Sequence, residues 1–219
     1  MKKSRWLNQR IQKGAWLLLF LFWPMLVWSA EDRAPIDRLQ TFLNGMKSID
    51  ADFTQVVSDP ANGKKTEFKG RFTAVRPNLF RWDYRLPYEQ VIVSDGTWIW
   101  HYEPDLMQAT RVSASQMEKT PAGFLITGKR VEDAFSWKAV PDPDWQTPAV
   151  ILRPRQPDNN FQEITVTLDP GGEKIRQMIV VDNLGNRSLF TFQDMRHNRT
   201  LEKQGFRFVP PAGVDVVAE

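Results

Sequence analysis

The stretch that decides the fold reads RPNLFRWDY at residues 76–84 and, shortly after it, QVIVSDGTWIW at residues 90–100. Alternate side chains of a β-strand point to the same face, and Asp95-Gly96 is a typical hairpin turn. We therefore predict consecutive antiparallel strands with one shared aromatic face, formed by Phe80, Trp82, Tyr84, Trp98, Trp100 and Tyr102. Such a face is too apolar to be left in water, so it must bury a core, line a cavity or hold an apolar ligand.

The alternation of apolar and polar residues continues through most of the chain and is interrupted by turns rich in Pro, Gly, Asn and Asp. The predicted strands cover residues 49–58, 66–75, 79–84, 90–94, 97–103, 107–112, 136–140, 149–153, 162–168, 174–182 and 187–194. About eleven strands are more than a filled small barrel needs. We therefore predict a mainly β protein whose antiparallel sheet forms a closed or half-closed barrel with a plugged or occupied interior.

Two regions break the strand pattern and are predicted to be helical. In the first, residues 35–47, the apolar residues fall on one helical stripe: Ile36, Leu39, Leu43 and Met46. In the second, residues 113–135, Thr120 is predicted to cap and Pro121 to begin a short apolar helix that ends at Gly128. We expect this second region to plug the sheet, because its apolar side chains have no other sheet face to cover. Residues 31–219 are thus predicted to form a single domain.

The first thirty residues have the composition of a signal peptide rather than of a folded domain. Five basic residues accompany an apolar run at residues 15–28 that is too short to span a bilayer comfortably, and cleavage is expected after Ser29 or Ala30. An uncleaved membrane anchor is the alternative. The full chain has 29 basic and 26 acidic residues, so removal of the leader leaves 24 and 26 and a net charge of −2. This charge gives no electrostatic basis for binding nucleic acid.

The residues that could carry chemistry are few and scattered. His101 alternates with the large aromatic residues beside it, so it is predicted on the outer face of its strand, and His197 lies in a polar run. Asp142-Pro143-Asp144 lacks the turn glycine and the terminal carboxylate of a calcium loop. The sequence has no cysteine and no catalytic, phosphate-binding or zinc-binding motif. We therefore predict a protein that is not an enzyme and that needs no metal or cofactor.

In its motifs the chain resembles the LolA family, the periplasmic carriers that move lipoproteins from the inner to the outer membrane of Gram-negative bacteria. The matching segments are Phe53-Thr54-Gln55 with Val57, Gly70 to Phe72, RPNLF at 76–80 with Trp82, VSDG at 93–96, Thr120-Pro121, and Phe206 to Val214. Together they span essentially the whole chain after the leader. The absence of cysteine separates the chain from LolB, an outer-membrane receptor of the same fold that is itself a lipoprotein.

The resemblance implies an unclosed barrel with an N-terminal helix and a helical lid over a hydrophobic cavity. It also implies a periplasmic location, loading by the inner-membrane complex LolCDE and delivery to LolB, and we expect a monomer. In this family the arginine that corresponds to Arg76 bonds backbone carbonyls of the lid helices and holds the cavity shut. Phe80 matches a phenylalanine that acts in loading, so we expect its ring at the partly wet mouth of the cavity. Leu39 matches a cavity-facing leucine.

Together with the aromatic face and the lid, these matches predict one acyl-chain binding site. Its predicted residues are Leu39, Phe80, Trp82, Tyr84, Ile92, Trp98, Phe124 and Leu125, with Arg76 closing the lid. Two other functions stay open. A periplasmic sensor of lipoproteins, like the RseB family, uses the same half-barrel but normally carries a second domain. An enzyme acting on lipids needs a reactive polar cluster inside the cavity, and none is readable in the sequence.

Overall fold

A single twelve-stranded sheet dominates the computed structural model, which describes residues 32–144, 146–156 and 160–218. The predicted leader, residues 1–30, lies outside these ranges. Strands β1 to β6 span, in order, Ser48–Ser58, Lys65–Val75, Leu79–Leu86, Gln90–Asp95, Trp98–Glu103 and Gln108–Ser113. Strands β7 to β12 span Phe135–Val140, Ala149–Pro154, Phe161–Leu168, Ile175–Asp182, Arg187–His197 and Asp215–Ala218.

The helices are short and fall where the strand pattern is interrupted. The α-helices are α1 (Ala34–Gly45), α2 (Pro121–Ile126) and α3 (Val131–Ala134), and the 3-10 helices are Pro104–Leu106, Ala114–Lys119 and Lys203–Phe206. Within the described residues, no helix has the length and apolarity needed to cross a membrane. The eleven predicted strands and both predicted helical regions are confirmed. The structure adds β12, which the pattern did not indicate because it is four residues long and exposed throughout.

The sheet is ordered β12-β6-β5-β4-β3-β2-β1-β11-β10-β9-β8-β7. Sequential hairpins account for most neighbours, and the long strands β1, β2 and β11 lie side by side near the middle. β12 runs parallel to β6 and extends one end of the sheet, while β7 forms the other end. The barrel is therefore unclosed, as predicted.

The inner face of the sheet, which carries Phe53, Phe72 and Trp82, holds the main hydrophobic core together with α1 and α2. The ring centroids of Phe72 and Trp82 lie 4.2 Å apart, and those of Phe53 and Trp82 lie 4.9 Å apart. Gly70 permits this packing, because a Cβ there would lie 2.8 Å from the ring of Phe53 and would also collide with the backbone carbonyl of Asp83. The glycine is therefore required by the close approach of an aromatic ring to the β2 backbone.

The aromatic residues of β5 lie on the opposite, outer face of the sheet; they are Trp98, Trp100 and Tyr102. Trp82 of β3 pairs with Ile92 of β4, and Ile92 pairs with His101 of β5. Because directly paired residues of neighbouring strands share a face, His101 lies on the inner face, where its ring contacts the side chain of Gln90. Two predictions are therefore wrong: that the β5 aromatics share the face of Trp82, and that His101 lies outside.

The hairpin between β4 and β5 sets this register. The Asp95 carboxylate accepts hydrogen bonds from the backbone N–H groups of Thr97 and Trp98, both at 2.8 Å, and Ser94 pairs with Ile99. Even-numbered residues of β4 therefore share a face with odd-numbered residues of β5. A shift of one residue exchanges the two faces of a strand, and residue spacing within each strand does not reveal the shift.

The C-terminal segment, residues 199–214, covers the outer aromatic cluster. Phe206 is 3% exposed, and the ring of Phe208 lies 5.3 Å from the ring of Trp100. The guanidinium of Arg111 lies 4.6 Å from the ring centre of Trp98, which is a cation–π geometry. Trp98 thus belongs to a separate cluster and does not line the inner face, which corrects its predicted place in the acyl-chain site.

Candidate functional site

The lid, residues 114–134, comprises the 3-10 helix Ala114–Lys119 followed by α2 and α3. The start of α2 is built as the sequence predicts: Thr120 Oγ1 accepts a hydrogen bond from the Gly123 N–H at 3.0 Å, and Pro121 lies in the first turn. Every residue from Ala122 to Ile126 is buried. The short helix α2, about one and a half turns long, is therefore inserted into the apolar interior and packs within it.

All the predicted acyl-chain residues except Trp98 belong to the inner cluster or pack against it; they are Leu39, Phe80, Trp82, Tyr84, Ile92, Phe124 and Leu125. Leu39 and Leu125 have no exposed surface, whereas Tyr84 and Ile92 are half-buried. Burial raises the pKa of the Tyr84 hydroxyl above its usual value. The fold thus gathers residues from α1, β3, β4 and α2 into one continuous apolar body.

Phe80 lies deeper in this body than the sequence predicts. It is 2% exposed and pairs with Ala74 on β2 and Ser94 on β4. The expectation of a partly wet ring at the mouth of a cavity is therefore wrong for this closed arrangement. The reason is that strands flank β3 on both sides and the lid packs into the same cluster, so water has no access to the ring.

A cavity of about 260 Å³ lies between α1 and the strands β8 and β9. Its lining is mixed: the apolar residues are Ala34, Pro35, Leu39, Pro148, Val150, Val166 and Leu168, and the polar residues are Asp32, Arg38, Gln146, Thr147 and Asp169. Leu39 is the only predicted acyl-chain residue that lines this space, so its place in an acyl-chain cavity under the lid stays a prediction. Sites for drug-sized ligands usually measure about 300–1,000 Å³, so this space is too small for several acyl chains. Binding such chains requires the interior to open.

Arg76, at the turn between β2 and β3, contacts the lid. Its Nη2 donates a hydrogen bond of 3.4 Å to the backbone carbonyl of Leu125, and a Cβ on Gly128 would lie only 3.2 Å from its Nη1. The carbonyls in the last turn of a helix have no partner within the helix, so an arginine is well suited to bond them. The distance is long for a hydrogen bond, which makes this contact weak.

Burial affects both the pKa and the hydrogen bonding of the Arg76 guanidinium. It lowers the pKa of the guanidinium below its usual value, and Arg76 Nε is buried without a hydrogen-bond partner among the described residues. The group therefore gives up hydration without full compensation from the lid. The structure places Arg76 where the sequence predicts, at the contact between sheet and lid.

A second polar contact holds α3 and centres on Glu132. Its Oε2 accepts a hydrogen bond of 2.8 Å from Arg33 Nη2, and its Oε1 accepts one of 3.1 Å from the indole N–H of Trp137. Arg130 Nη2 lies 3.4 Å from the same carboxylate. These hydrogen bonds, that from Arg33 foremost, hold the pKa of Glu132 below its usual range. The carboxylate thus links α3 to the start of α1 and to β7.

Backbone groups of α3 are held as well. The N–H of Val131, at the start of α3, donates to Gln40 Oε1 of α1 at 2.8 Å, and the carbonyl of Glu132 accepts from Arg155 Nε at 3.0 Å. Gln40 and Val131 are 91 residues apart, and Arg33 and Glu132 are 99 apart. Sequence reasoning missed these residues, because no local pattern connects polar side chains so far apart along the chain.

Comparison with known proteins identifies relatives of this chain. Residues 44–209 match the family described as outer membrane lipoprotein carrier protein LolA. A protein of Methylibium petroleiphilum named outer-membrane lipoprotein carrier protein is 39% identical over 185 residues, covering 84% of this chain and 89% of its own. A protein of the same name from Methylococcus capsulatus is 35% identical over 200 residues, covering 88% and 93%. A LolA superfamily crystal structure from Nitrosomonas europaea aligns over 82% of this chain and 99% of its own, with 12% identity and a TM-score of 0.47. On the strength of the family match and the two sequence relatives, the chain belongs to the LolA family of outer membrane lipoprotein carrier proteins.

Proposed function

We propose that this protein carries acylated lipoproteins from the inner to the outer membrane, with their acyl chains sheltered on the inner face of the sheet. The proposal rests on family membership and, above all, on one observation: α2 is a short helix whose buried residues, Ala122 to Ile126, are all apolar and pack into the interior of the sheet. Trp98 is left out of the proposed acyl-chain residues, which are Leu39, Phe80, Trp82, Tyr84, Ile92, Phe124 and Leu125.

Burial of the α2 side chains and burial of one acyl chain contribute free energies of the same order. Fully burying a Leu, Ile or Phe side chain contributes about 1.5–3 kcal/mol, so Phe124, Leu125 and Ile126 together contribute roughly 5–9 kcal/mol. An acyl chain of about fifteen CH₂ groups gains roughly 12 kcal/mol when fully sheltered. Because the hydrophobic effect is non-directional, acyl chains can displace α2 from the interior without loss of stabilisation.

The same free energies of burial limit how the cargo can be released. Three such chains fully sheltered would gain more than the ~20 kcal/mol at which non-covalent affinity saturates, so sheltering is partial. Spontaneous escape into water would still be far too slow for a carrier. Cargo therefore has to pass directly from cavity to cavity, and we propose loading from the LolCDE complex and delivery to LolB. The leader at residues 1–30 would direct the chain to the periplasm, where this transfer takes place.

Arg76 is the proposed closing residue of the empty carrier. Its contact with the Leu125 carbonyl stabilises the position of α2 without adding apolar surface. Because that bond is long and the guanidinium is incompletely satisfied, the closed state is stabilised only modestly. A modest bias suits a carrier, since a lid that is too firmly closed would oppose loading.

The test is release of lipoprotein from spheroplasts of a Gram-negative bacterium. The purified exported protein is added outside, and acylated lipoproteins are measured in the supernatant. We expect release that depends on the ATP-driven exporter and on the added protein. Omission of the protein, and arrest of the exporter by depletion of ATP, are the controls.

Two results would contradict the proposal. One is the absence of released lipoprotein although the exporter is active with a known carrier. The other is tight binding of a ligand class without acyl chains at the inner face, which would assign the interior to a different cargo.

A further inference from the structure

The two halves of the lid are held by different kinds of contact. Among the described contacts, the first half, the 3-10 helix Ala114–Lys119 with α2, is held by buried apolar side chains, by the 3.4 Å bond from Arg76 to α2 and, at its first residue, by a 3.0 Å bond from the Ala114 N–H to the Thr97 carbonyl. The second half, α3, buries only Val131 and is instead held by polar contacts of 2.8–3.1 Å. The first half of the lid is therefore held mainly by apolar contacts, and α3 is held mainly by hydrogen bonds.

Acyl chains compete with these contacts unequally. Hydrocarbon can replace the apolar neighbours of Phe124 or Leu125, because such contacts need no particular direction. It cannot replace the bonds that the Glu132 carboxylate accepts from Arg33 and Trp137, which require donors in fixed positions. Bound acyl chains can therefore replace the apolar contacts that hold α2, whereas the hydrogen bonds that hold α3 are kept.

The segment between the two halves is suited to bending. Residues 128–130 are exposed and non-helical, and Gly128 has φ +72°, which glycine adopts without strain. Gly128 also lies directly beside the Arg76 guanidinium. Arg76 therefore contacts the lid at the junction between its two halves.

We propose that the lid opens in two parts: α2 and the preceding 3-10 helix move away from the sheet by bending at residues 128–130 and next to Ala114, which stays bonded to Thr97, while Glu132 keeps α3 fastened to α1. Glu132 is on this view a positioning residue, which holds α3 as a fixed wall beside the acyl chains. Phe135, which follows α3 and whose ring lies 5.6 Å from that of Phe124, would remain in this wall when α2 leaves. This inference rests on the proposed carrier function for its role but not for its geometry.

The absence of cysteine makes the motion measurable by paired spin labels. One label is placed at Thr41→Cys on α1, and the second either at Gln116→Cys in the first half of the lid or at Asp133→Cys on α3; all three positions are exposed. Distances are recorded by pulsed electron paramagnetic resonance for the empty protein, for the protein loaded with a purified acylated lipoprotein, and for empty protein carrying Arg76→Leu. We expect the 41–116 distance to change on loading and with Arg76→Leu, and the 41–133 distance to stay unchanged in both.

The outcomes separate the lid mechanism from the carrier function. Equal displacement of both labelled positions would show a rigid lid and overturn the proposal, as would an unchanged 41–116 distance in the Arg76→Leu protein. Because the Arg76→Leu measurement uses no cargo, it tests the two-part lid even if no lipoprotein binds. Failure to bind lipoprotein at all would instead contradict the carrier function.

A second variant tests Glu132 itself. Glu132→Ala should broaden the 41–133 distance in the loaded protein and lower retained lipoprotein roughly three- to tenfold, whereas Asp105→Ala, which removes an exposed carboxylate outside the lid, should change neither. Glu132→Gln keeps an acceptor for Arg33 and should restore part of the retention. If Glu132→Ala and Asp105→Ala behave alike in both measurements, Glu132 does not position α3.

Discussion

The inner and outer aromatic clusters follow the same sequence pattern but have different covers. Trp82 on the inner face and Trp100 on the outer face are each 6% exposed, so burial does not distinguish them. The outer cluster is covered by a segment that continues into β12, which is hydrogen-bonded to β6 along its length. The inner cluster is covered by α2, which inserts apolar side chains and makes one long bond to Arg76. The comparison teaches that two equally buried aromatic clusters can differ in how their covers are attached: the outer cover is hydrogen-bonded to the sheet, and α2 is held mainly by apolar contacts.

The largest effect is expected from a charge placed inside the inner cluster. Phe80→Glu should lower stability by about 3–5 kcal/mol, because an unpaired buried carboxylate has no compensating partner. Thermal unfolding of the purified variant measures the loss. Leu184→Glu, at a position 84% exposed on the turn before β11, is the control and should change stability by less than about 0.5 kcal/mol. A Phe80→Glu protein that melts like wild type would contradict the buried placement of Phe80.

The next experiment sets the two clusters directly against each other. Trp82→Leu and Trp100→Leu remove the same side chain from equally buried sites, and each should cost about 2–4 kcal/mol of stability. Only Trp82→Leu should also lower the amount of lipoprotein retained per folded molecule, because only Trp82 faces the interior under the lid. Unfolding in denaturant and co-purification of lipoprotein are measured on the same samples. Equal loss of lipoprotein in both variants would show that the clusters do not differ in function.

Removal of the contact between sheet and lid should have a smaller effect. Arg76→Leu deletes a weak hydrogen bond worth about 1 kcal/mol, which corresponds to roughly a fivefold shift toward the open lid. The variant should still accept lipoprotein but should pass it to LolB more slowly, since the closed empty state then competes less with the loaded state. A reconstituted transfer assay measures the rate. Arg76→Lys keeps a donor and a charge and should behave closer to wild type, and delivery by Arg76→Leu at the wild-type rate would refute the role of the contact.

The effect that is smallest at neutral pH, and that becomes measurable only in alkali, concerns Tyr84 at the edge of the inner cluster. Burial raises its pKa, so the folded protein holds the hydroxyl proton more tightly than the unfolded chain does. Stability from this group is fully present below about pH 10, the pKa of an unperturbed tyrosine, and falls above it by at most about 1.4 kcal/mol per pH unit. Tyr84→Phe should flatten this decline, as measured by denaturant unfolding between pH 8 and 11. The same decline in wild type and variant would show that Tyr84 does not titrate in a buried site.

Residue alternation and turn chemistry were sufficient to predict the main elements of this fold, but not β12 or the 3-10 helices at residues 104–106 and 203–206. The eleven predicted strands and the helical regions at 35–47 and 113–135 all appear, because each depends on a local pattern of apolar residues bounded by turns. Arg76 could be placed at the lid from its motif. The face of β5 could not be predicted, since it depends on how the Asp95 carboxylate shapes one hairpin. Neither could Glu132, whose partner Arg33 is 99 residues away.

Apart from the family, which was identified from the resemblance of its motifs, the sequence by itself determined the strands of a long antiparallel sheet and a capped apolar helix. These follow from interactions within a few residues of one another: alternation, Pro and Gly in turns, and a threonine cap. Only the tertiary structure decided that Trp98 and Trp100 pack outside, that Phe80 is fully enclosed and that α3 is fastened to α1. Those features depend on register and on contacts between distant segments, and the free energies of such contacts become defined only when the chain has folded.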